Sequence, residues 1–374
     1  MTGKIEIAVK SDVGRERTEN QDHFGVLHSS DPAVLEKKGS LVVVADGMGG
    51  HSGGKLASET AVGAILKAFD ATQRRSMRDI LEEAVFAAND AVRQMQQADV
   101  RIHDAGTTCV ALLVRGNLAV VAHLGDSRCY LFRGDTIHRI TRDHTYLNEL
   151  IDIGLITPEQ AQGHPDRNII TRCVGMSTKL EVDFNRCELQ KGDIFLMCSD
   201  GLSNPVTDQE MAAAVRQLSP EKAAEKLIKL ANDRGGDDNI TVAIVKVEEP
   251  GTAIPELAKL DADQSLFSAK VTPVIKREDL GPGVVGDSDS DADTAENIVS
   301  TRQERTKESR IKGPVTTAQP LMSVMEKDGL TPTAGQAILA EAAPSGSAHK
   351  IWYWIIAAEI VVLVVLHFLI SRNY

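Results

Sequence analysis

Apolar positions recur with two different spacings along the first 248 residues, and the two spacings predict a fold that contains both strands and helices. Alternating or continuous apolar runs predict strands at 5–10, 22–28, 41–45, 107–115, 118–124, 127–133, 136–140, 181–188, 193–198 and 240–247. Helical spacing is present in 54–69 and 79–95, and two further helices are predicted to begin after Thr207 and Ser219. We therefore expect an α+β fold with two antiparallel sheets that pack together and helices outside them.

The composition changes after residue 248. Residues 249–350 contain eight of the 13 prolines, a single aromatic residue, Phe267, and an acidic run at 287–293. A segment of this composition cannot bury enough apolar surface to offset its chain entropy, so we expect a disordered linker. The sequence thus divides into a folded domain at 1–248 and a linker at 249–350.

The residues from 351 to 370 are almost entirely apolar, and a helix of this length would rise about 30 Å, the thickness of a bilayer core. Trp352, Tyr353 and Trp354 are grouped at one end, as aromatic residues are at a membrane interface. Glu359 is the exception, because a carboxylate in mid-membrane is costly; it would be protonated or mark a contact between helices. The alternative to a transmembrane helix is a buried C-terminal helix of the folded domain.

The first ten residues contain no apolar signal sequence. We therefore expect a single-pass anchor in the inner (cytoplasmic) membrane, a short tail at 371–374, and a folded domain in the cytoplasm. The five cysteines are scattered without a Cys-x-x-Cys pair, which argues against a thiolate zinc site and against a disulfide framework. The net charge of −12 argues against a general nucleic-acid binder.

Four apolar runs are bounded by an aspartate next to glycine or asparagine, at Asp46-Gly47, Gly125-Asp126, Asp200-Gly201 and Asp238-Asn239. A carboxylate at the end of a strand projects from the edge of its sheet. Several carboxylates that converge on one point repel one another unless a cation neutralises them. Oxygen ligands of this kind suit Mg²⁺ or Mn²⁺, so the pattern favours a metal-dependent hydrolase.

Eight motifs follow one another in the first 248 residues: 11–22, 46–54, 105–108, 125–128, 141–144, 170–172, 198–202 and 236–241. In this order they resemble the motifs of the metal-dependent Ser/Thr protein phosphatases of type 2C, in their bacterial form. The resemblance implies an αββα sandwich, in agreement with the order of predicted elements. It also implies hydrolysis of phosphoserine and phosphothreonine with two Mn²⁺ or Mg²⁺ ions, and bacterial relatives often carry a third ion.

The resemblance assigns four metal ligands. Asp46 would bridge the two ions, the backbone carbonyl of Gly47 would bind one of them, and Asp200 and Asp238 would complete the other. Two divalent ions that share one water can both bind the phosphate and generate a nucleophile at neutral pH. Hydrolysis would then proceed by in-line attack of the bridging hydroxide, without a phosphoenzyme.

Further residues receive supporting roles from the same resemblance. Asp22 would hold metal-bound water, and Asp126 would join Asp200 at the third ion. Arg17 occupies the position of the phosphate-binding arginine, and a guanidinium fork matches two phosphate oxygens. Asn239 would orient Asp238 or a metal-bound water.

Other motif residues have less direct expectations. Arg128 and Arg172 are expected to be structural. Residues 146–167 match the variable flap of the family, which would influence which phosphoprotein binds. Met48 stands where eukaryotic relatives have a histidine that is proposed to protonate the leaving group, so the general acid is unassigned. His51 could serve, although stabilisation of its loop is the preferred interpretation, and a metal-bound water is a third source of the proton.

We expect a Ser/Thr protein phosphatase that opposes a bacterial Ser/Thr kinase, with phosphoproteins and that kinase as partners. The rival from another class is a catalytically silent scaffold, but such proteins usually lose a metal carboxylate, and Asp46, Asp200 and Asp238 are all present. A phosphatase dedicated to one regulator, such as an anti-sigma-antagonist protein, is a third hypothesis.

Overall fold

The computed structural model describes residues 3–50, 52–255 and 273–275. The acidic run at 287–293, most of the predicted linker and the predicted transmembrane helix at 351–370 lie outside the described residues. Within the described part of the chain, no helix combines the length and the apolar character needed to cross a bilayer.

The N-terminal half alternates strands with two long helices. Its elements are β1 (Lys4–Asp12), β2 (Asp22–Leu27), α1 (Pro32–Lys38), β3 (Ser40–Met48), α2 (Gly53–Ala71), α3 (Met77–Ala98), β4 (Gly106–Thr107) and β5 (Cys109–Arg115). A short 3₁₀ turn at Val100–Ile102 follows α3.

The C-terminal half begins with a meander of strands and ends with a helix pair. Its elements are β6 (Leu118–Leu124), β7 (Arg128–Arg133), β8 (Thr136–Arg139), α4 (Tyr146–Asp152), α5 (Pro158–Ala161), β9 (Asp183–Glu188), β10 (Ile194–Cys198), α6 (Asp200–Ser203), α7 (Asp208–Gln217), α8 (Pro220–Asp233), β11 (Ile240–Glu249) and β12 (Pro273–Ile275). A 3₁₀ helix at Pro165–Asn168 lies between α5 and β9.

The strands form two antiparallel sheets. One has the order β1-β11-β10-β7-β8-β12, and the other has the order β2-β3-β5-β6-β9, with β4 paired to β3. Alternate residues of each buried strand face opposite sides, so each sheet contributes to two apolar layers. For example, Val43 packs toward α2 and α3, whereas its neighbours Val42 and Val44 pack between the sheets.

Three apolar layers result from this arrangement. One joins the second sheet to α2 and α3, one joins the first sheet to α7 and α8, and one lies between the sheets. The order of layers is therefore helix, sheet, sheet, helix. This confirms the expected αββα sandwich. The five cysteines are free thiols in this fold, as the sequence predicted.

The predicted helix starts at Thr207 and Ser219 are confirmed. Thr207 and Glu210 form a capping box, in which each side chain accepts a hydrogen bond from the backbone N–H of the other residue. Ser219 is the N-cap of α8 and is followed by Pro220, whose fixed φ suits the first helical position.

Two short helices were not predicted. Asp31 caps α1 by accepting a hydrogen bond from the N–H of Ala33, but no residue of α1 is buried, so no apolar stripe marks it. Asp200 begins the four-residue α6, which is too short for helical spacing to be visible. The described chain also keeps contact with the domain beyond residue 248, because the Gly251 N–H donates to the Gly116 carbonyl.

Candidate metal centre

Asp22 and Asp46 lie side by side at neighbouring strand ends. They are paired residues of the β2–β3 ladder, so their side chains project on the same side of the sheet. Gly47 follows in β3, and its N–H donates to the Gln21 carbonyl at 3.1 Å. A Cβ at Gly47 would lie 2.1 Å from the carbonyl oxygen of Gly54, so only glycine lets α2 begin this close to the strand.

Asp200 and Asp238 approach the same point from the other sheet. Asp200 lies two residues after the end of β10, and Asp238 lies two residues before β11, which is the neighbour of β10. The two loops are in close contact, because a Cβ at Gly201 would lie 2.1 Å from the Asn239 carbonyl oxygen. The structure therefore brings together the carboxylates that the sequence placed at separate strand ends.

Asp126 lies in the turn between β6 and β7. Gly125 has a φ of +99° and a Cβ there would lie 2.6 Å from the Thr108 side chain, so glycine is required. Thr108 also connects this turn to Asp46. Its hydroxyl forms a 2.7 Å hydrogen bond with the Ser127 hydroxyl and accepts from the Asp46 N–H at 2.9 Å.

The assembled carboxylates oppose one another's ionisation. Burial, followed by the charges of the other four carboxylates, raises the pKa of Asp46 well above its usual range. Burial and the Asp200 and Asp238 carboxylates raise the pKa of Asp22 to about 7, against two hydrogen bonds that lower it. Burial and the Asp200 charge likewise raise the pKa of Asp126 to about 7. Ionising several of these buried carboxylates at once therefore destabilises the folded protein unless a cation binds among them.

Two oxygens at this centre are ready to accept a ligand. Asp22 Oδ1 and Asp200 Oδ1 are buried and have no hydrogen-bond partner among the described residues. A buried acceptor without a partner loses its hydration without compensation. An all-oxygen set of this kind, with raised pKa values and unsatisfied acceptors, fits Mg²⁺ or Mn²⁺.

Arg17 reaches the rim of the cluster. Its Nη2 donates to Asp238 Oδ2 at 2.9 Å, and the arginine side chain is 53% exposed. The loop that carries it is fixed nearby, where the Arg15 N–H donates to the Gly236 carbonyl at 2.7 Å. The remaining guanidinium donors of Arg17 are thus available beside the acidic cluster.

Asn239 connects the loops around the centre. Its Oδ1 accepts from the Gln21 N–H at 2.7 Å, and its Nδ2 donates to the carbonyls of Val13 and Glu19 at 2.9 and 3.0 Å. Its own N–H donates to Asp238 Oδ1 at 2.8 Å. The side-chain amide is thus used to join the loops, while the contact with Asp238 is made by the backbone. The orienting role of Asn239 stays a prediction.

Ser199 is a residue of this centre that the sequence prediction did not include. Its hydroxyl donates to Asp22 Oδ2 at 2.7 Å and accepts from the Thr241 N–H at 2.9 Å, and the side chain is fully buried. A serine directly before Asp200 was its only sequence signal. It fixes one oxygen of Asp22, which leaves the other oxygen facing the cluster.

The two arginines expected to be structural form ion pairs. Arg128 donates to both oxygens of Asp143, which also pairs with Arg139. Arg172 Nη1 lies 3.4 Å from Asp183 Oδ1. Met48 is half-buried at the end of β3, and His51 lies outside the described residues.

The segment at 146–167 lies against the centre. A cavity of about 180 Å³ is lined by Asp126 and Asp200 on one side and by Leu147, Asn148 and Arg167 of this segment on the other. The segment contains α4, α5 and a 3₁₀ helix rather than one continuous element. The structure therefore places this segment beside the carboxylates, and its influence on which phosphoprotein binds stays a prediction.

A second group of potential ligands lies next to the Asp126 turn. One ligand atom each of His123, His144 and Asp183 lies within 4.8 Å of the others. The His144 imidazole lies 4.7 Å from that of His123, centroid to centroid. This group was not predicted, because its members are separated along the chain and share no motif.

Comparison with known proteins identifies the family. Residues 14–232 match the family model described as protein phosphatase 2C. The chain is 39% identical over 249 residues to protein phosphatase PhpP of Streptococcus pneumoniae, covering 66% of this chain and 98% of that protein. It is 36% identical over 242 residues to the serine/threonine phosphatase stp of Listeria innocua, covering 63% and 94%.

Solved structures show the same relationship. The serine/threonine phosphatase PstP/Ppp of Mycobacterium tuberculosis superposes with a TM-score of 0.59 at 35% identity, covering 66% of this chain and 99% of that one. The catalytic domain of PstP in complex with two manganese ions gives a TM-score of 0.56 at 34% identity, covering 65% and 98%. With its sandwich fold and its cluster of carboxylates, the chain belongs to the protein phosphatase 2C family, whose members are metal-dependent hydrolases.

Proposed function

We propose that this chain hydrolyses phosphoserine and phosphothreonine in proteins and requires Mn²⁺ or Mg²⁺. The observation that carries the proposal is the convergence of five carboxylates, those of Asp22, Asp46, Asp126, Asp200 and Asp238. Burial and mutual repulsion raise the pKa of the first four, and Asp22 and Asp200 each have a buried oxygen without a partner among the described residues. Membership of the protein phosphatase 2C family supports the same reaction.

We assign the ligands from this geometry and the family resemblance. Asp46, the Gly47 carbonyl, Asp200 and Asp238 would hold two ions, and Asp126 with Asp200 would hold a third. When bound, the ions neutralise phosphate charge and lower the pKa of water to supply a nucleophile at neutral pH. The Asn239 N–H holds the Asp238 carboxylate, and the Ser199 hydroxyl holds that of the neighbouring Asp22.

Arg17 has the role of phosphate binding in this proposal. Its half-exposed guanidinium lies beside Asp238 and can present two N–H donors to a phosphate, because among the described residues one hydrogen bond, to Asp238, uses its fork. Asp22 would accept from water in the centre through its free Oδ1. The proton for the leaving alkoxide has to come from a group other than Met48.

Activity assays separate an enzyme from a silent scaffold. The full-length chain in detergent should hydrolyse p-nitrophenyl phosphate and a phosphothreonine peptide with Mn²⁺, and EDTA should stop both reactions. Asp46→Asn and Asp200→Asn should abolish turnover, while Asp90→Asn, at an exposed position of α3, should not. Wild-type activity in either of the first two variants would refute the assigned centre.

The cellular substrates form a further part of the proposal. We propose that the chain reverses the action of a bacterial Ser/Thr kinase, because its relatives are bacterial Ser/Thr phosphatases. Phosphoproteomics of a deletion strain tests this: many hyperphosphorylated kinase targets support it, whereas a single changed regulator indicates a dedicated phosphatase.

We also propose that the segment at 351–370 attaches the enzyme to the inner membrane, with the catalytic domain at 1–248 in the cytoplasm and residues 249–350 as the connection. The support is the length of the segment, which is apolar apart from Glu359 and His367, and the aromatic group at one end. Cell fractionation tests it: the full chain should pellet with membranes and resist carbonate extraction, and a variant with Glu placed at Val362 and Leu366 should not.

A further inference from the structure

We propose, building on the phosphatase function above, that His144 is a positioning residue that fixes the Asp126 turn and connects it to the segment at 146–167. His144 lies two residues before that segment and is hydrogen-bonded to Gly125. Its side chain is 6% exposed and is absent from the carboxylate cluster itself, so its effect on the reaction has to pass through its neighbours.

His144 holds the turn through two hydrogen bonds. The Gly125 N–H donates to His144 Nδ1 at 3.2 Å, and the His144 N–H donates to the Gly125 carbonyl at 2.8 Å. The Thr108 side chain also lies close to Gly125. The peptide that leads into Asp126 is therefore held by His144 and confined by Thr108, and the direction of the Asp126 carboxylate depends on these contacts.

The two contacts of the ring define its tautomer. Because Nδ1 accepts from Gly125, the proton of the neutral imidazole is on Nε2, which donates to Asp183 Oδ2 at 3.1 Å. Arg172 lies 3.4 Å from the other oxygen of Asp183 and completes the chain of contacts. The neutral ring thus links β9 to the metal-binding turn.

This tautomer also argues against a metal ion at His123, His144 and Asp183. A metal bound at His144 Nε2 would displace the proton to Nδ1, where it would face the Gly125 N–H. The distances of up to 4.8 Å between the ligand atoms would also have to shorten. The group is therefore better described as a hydrogen-bonded support.

His144 is fixed at the base of the flap-like segment 146–167. The Thr171 N–H donates to the His144 carbonyl at 2.9 Å, and the Tyr146 N–H donates to the Ile169 carbonyl at 2.9 Å. These bonds join the two ends of the segment next to His144. Because His144 also bonds Gly125, a movement of the segment would reach the turn that carries Asp126.

Two substitutions separate the contacts of the ring. In His144→Asn, the Oδ1 of asparagine can replace Nδ1 as the acceptor for the Gly125 N–H, but the donor to Asp183 is lost. In His144→Gln, the Nε2 of glutamine can replace the donor to Asp183, but the acceptor for Gly125 is lost. We expect His144→Asn to keep a Mn²⁺ response close to that of the wild type. We expect His144→Gln to raise the Mn²⁺ concentration for half-saturation of the weakest site by roughly fivefold, the size of one lost buried hydrogen bond.

The experiment titrates Mn²⁺ into the full-length chain in detergent by calorimetry and, separately, follows activity. Asp126→Asn provides the reference for loss of the third site, and His28→Gln is the control, since His28 bonds Ser40 at the far end of β3. The proposal is supported if His144→Gln needs more Mn²⁺ for half-saturation, in the same direction as Asp126→Asn, and if high Mn²⁺ restores its kcat. Equal Mn²⁺ curves for His144→Gln, His144→Asn and the wild type overturn it, even where thermal stability is lost.

The outcome is distinguishable from failure of the proposed function. If Asp46→Asn retains wild-type activity, the phosphatase centre itself is misassigned. If Asp46→Asn is inactive while His144→Gln binds Mn²⁺ normally, the centre stands and only the positioning role is rejected.

Discussion

Arg17 and Asp238 are 221 residues apart in the chain, and Arg17 Nη2 donates to Asp238 Oδ2 at 2.9 Å. This contact places a cation of the 11–22 motif directly on a proposed metal ligand. If Asp238 binds a metal ion, as proposed above, its carboxylate would be shared with that ion and Arg17 would be available for phosphate. The contact holds the guanidinium at the rim of the carboxylate cluster.

Removal of the Arg17 guanidinium should weaken phosphate binding. We expect Arg17→Ala to lower kcat/KM for a phosphothreonine peptide by about 10- to 100-fold, because charge-assisted hydrogen bonds to phosphate are lost. Arg17→Lys should recover only part of this, since an ammonium cannot bind two oxygens as a fork does. Steady-state kinetics of the wild type and both variants test this prediction. An unchanged kcat/KM in Arg17→Ala would show that residues other than Arg17 bind the phosphate.

Loss of the Ser199 hydroxyl should destabilise the domain. Ser199→Ala removes one of the two hydrogen bonds to the Asp22 carboxylate and leaves the Thr241 N–H without its partner in a buried site, at a cost of about 1–3 kcal/mol. Urea unfolding measures the effect. Ser203→Ala is the matched control, because the Ser203 hydroxyl is buried and has no partner among the described residues. Equal stabilities of the two variants would contradict the role of Ser199.

Asn239 should not tolerate replacement by aspartate. In Asn239→Asp a carboxylate oxygen faces the carbonyls of Val13 and Glu19, and it adds charge beside Asp238. We expect a loss of about 2–4 kcal/mol in unfolding free energy. KM should also rise, because the loop that carries Arg17 is released. If Asn239→Asp keeps the unfolding free energy and the KM of the wild type, the loop that carries Arg17 is fixed by other contacts.

The metal-free protein should have an unusual pH dependence of stability. The folded state raises the pKa of Asp22 and of Asp126 to about 7 from 3.8. Between these values the folded state holds protons that the unfolded chain releases, so this contribution is complete below pH 3.8 and is lost as the pH rises through 7. Mn²⁺ competes with those protons and should therefore stabilise the protein more at pH 7.5 than at pH 5.5.

Thermal unfolding in EDTA isolates this effect. On going from pH 7.5 to pH 5.5, the Tm of the wild type should change more favourably than that of Asp126→Asn, by about 2–4 °C. His123 acts in the opposite direction, since burial lowers its pKa to about 3, but it contributes equally to both proteins. Parallel pH curves for the two proteins would show that Asp126 ionises normally without metal.

Much of the fold was predictable because its signals are local. The apolar runs of the strands and the stripe of α3 are visible in the sequence, and Thr207 begins α7 with its own capping box. In contrast, α1 has no buried residue and α6 is only four residues long, so neither produces a periodic pattern.

The carboxylates of the centre were predictable for a similar reason. Asp46 and Asp200 stand at the ends of apolar strands, where a sheet edge is expected. The supporting contacts were not predictable, because they depend on which loops meet in space. Ser199 reaches Asp22 across 177 residues, and His144 reaches Gly125 across 19, without a shared motif.

The measurement that tests the central claim most directly is calorimetric titration of Mn²⁺ into the full-length wild type and into Asp46→Asn, with phosphatase activity recorded on the same samples. We predict that the wild type binds at least two ions and becomes active as they bind, and that Asp46→Asn loses tight binding and activity together. A wild type that is folded and active in EDTA, or an Asp46→Asn protein that binds Mn²⁺ and turns over like the wild type, would contradict the account.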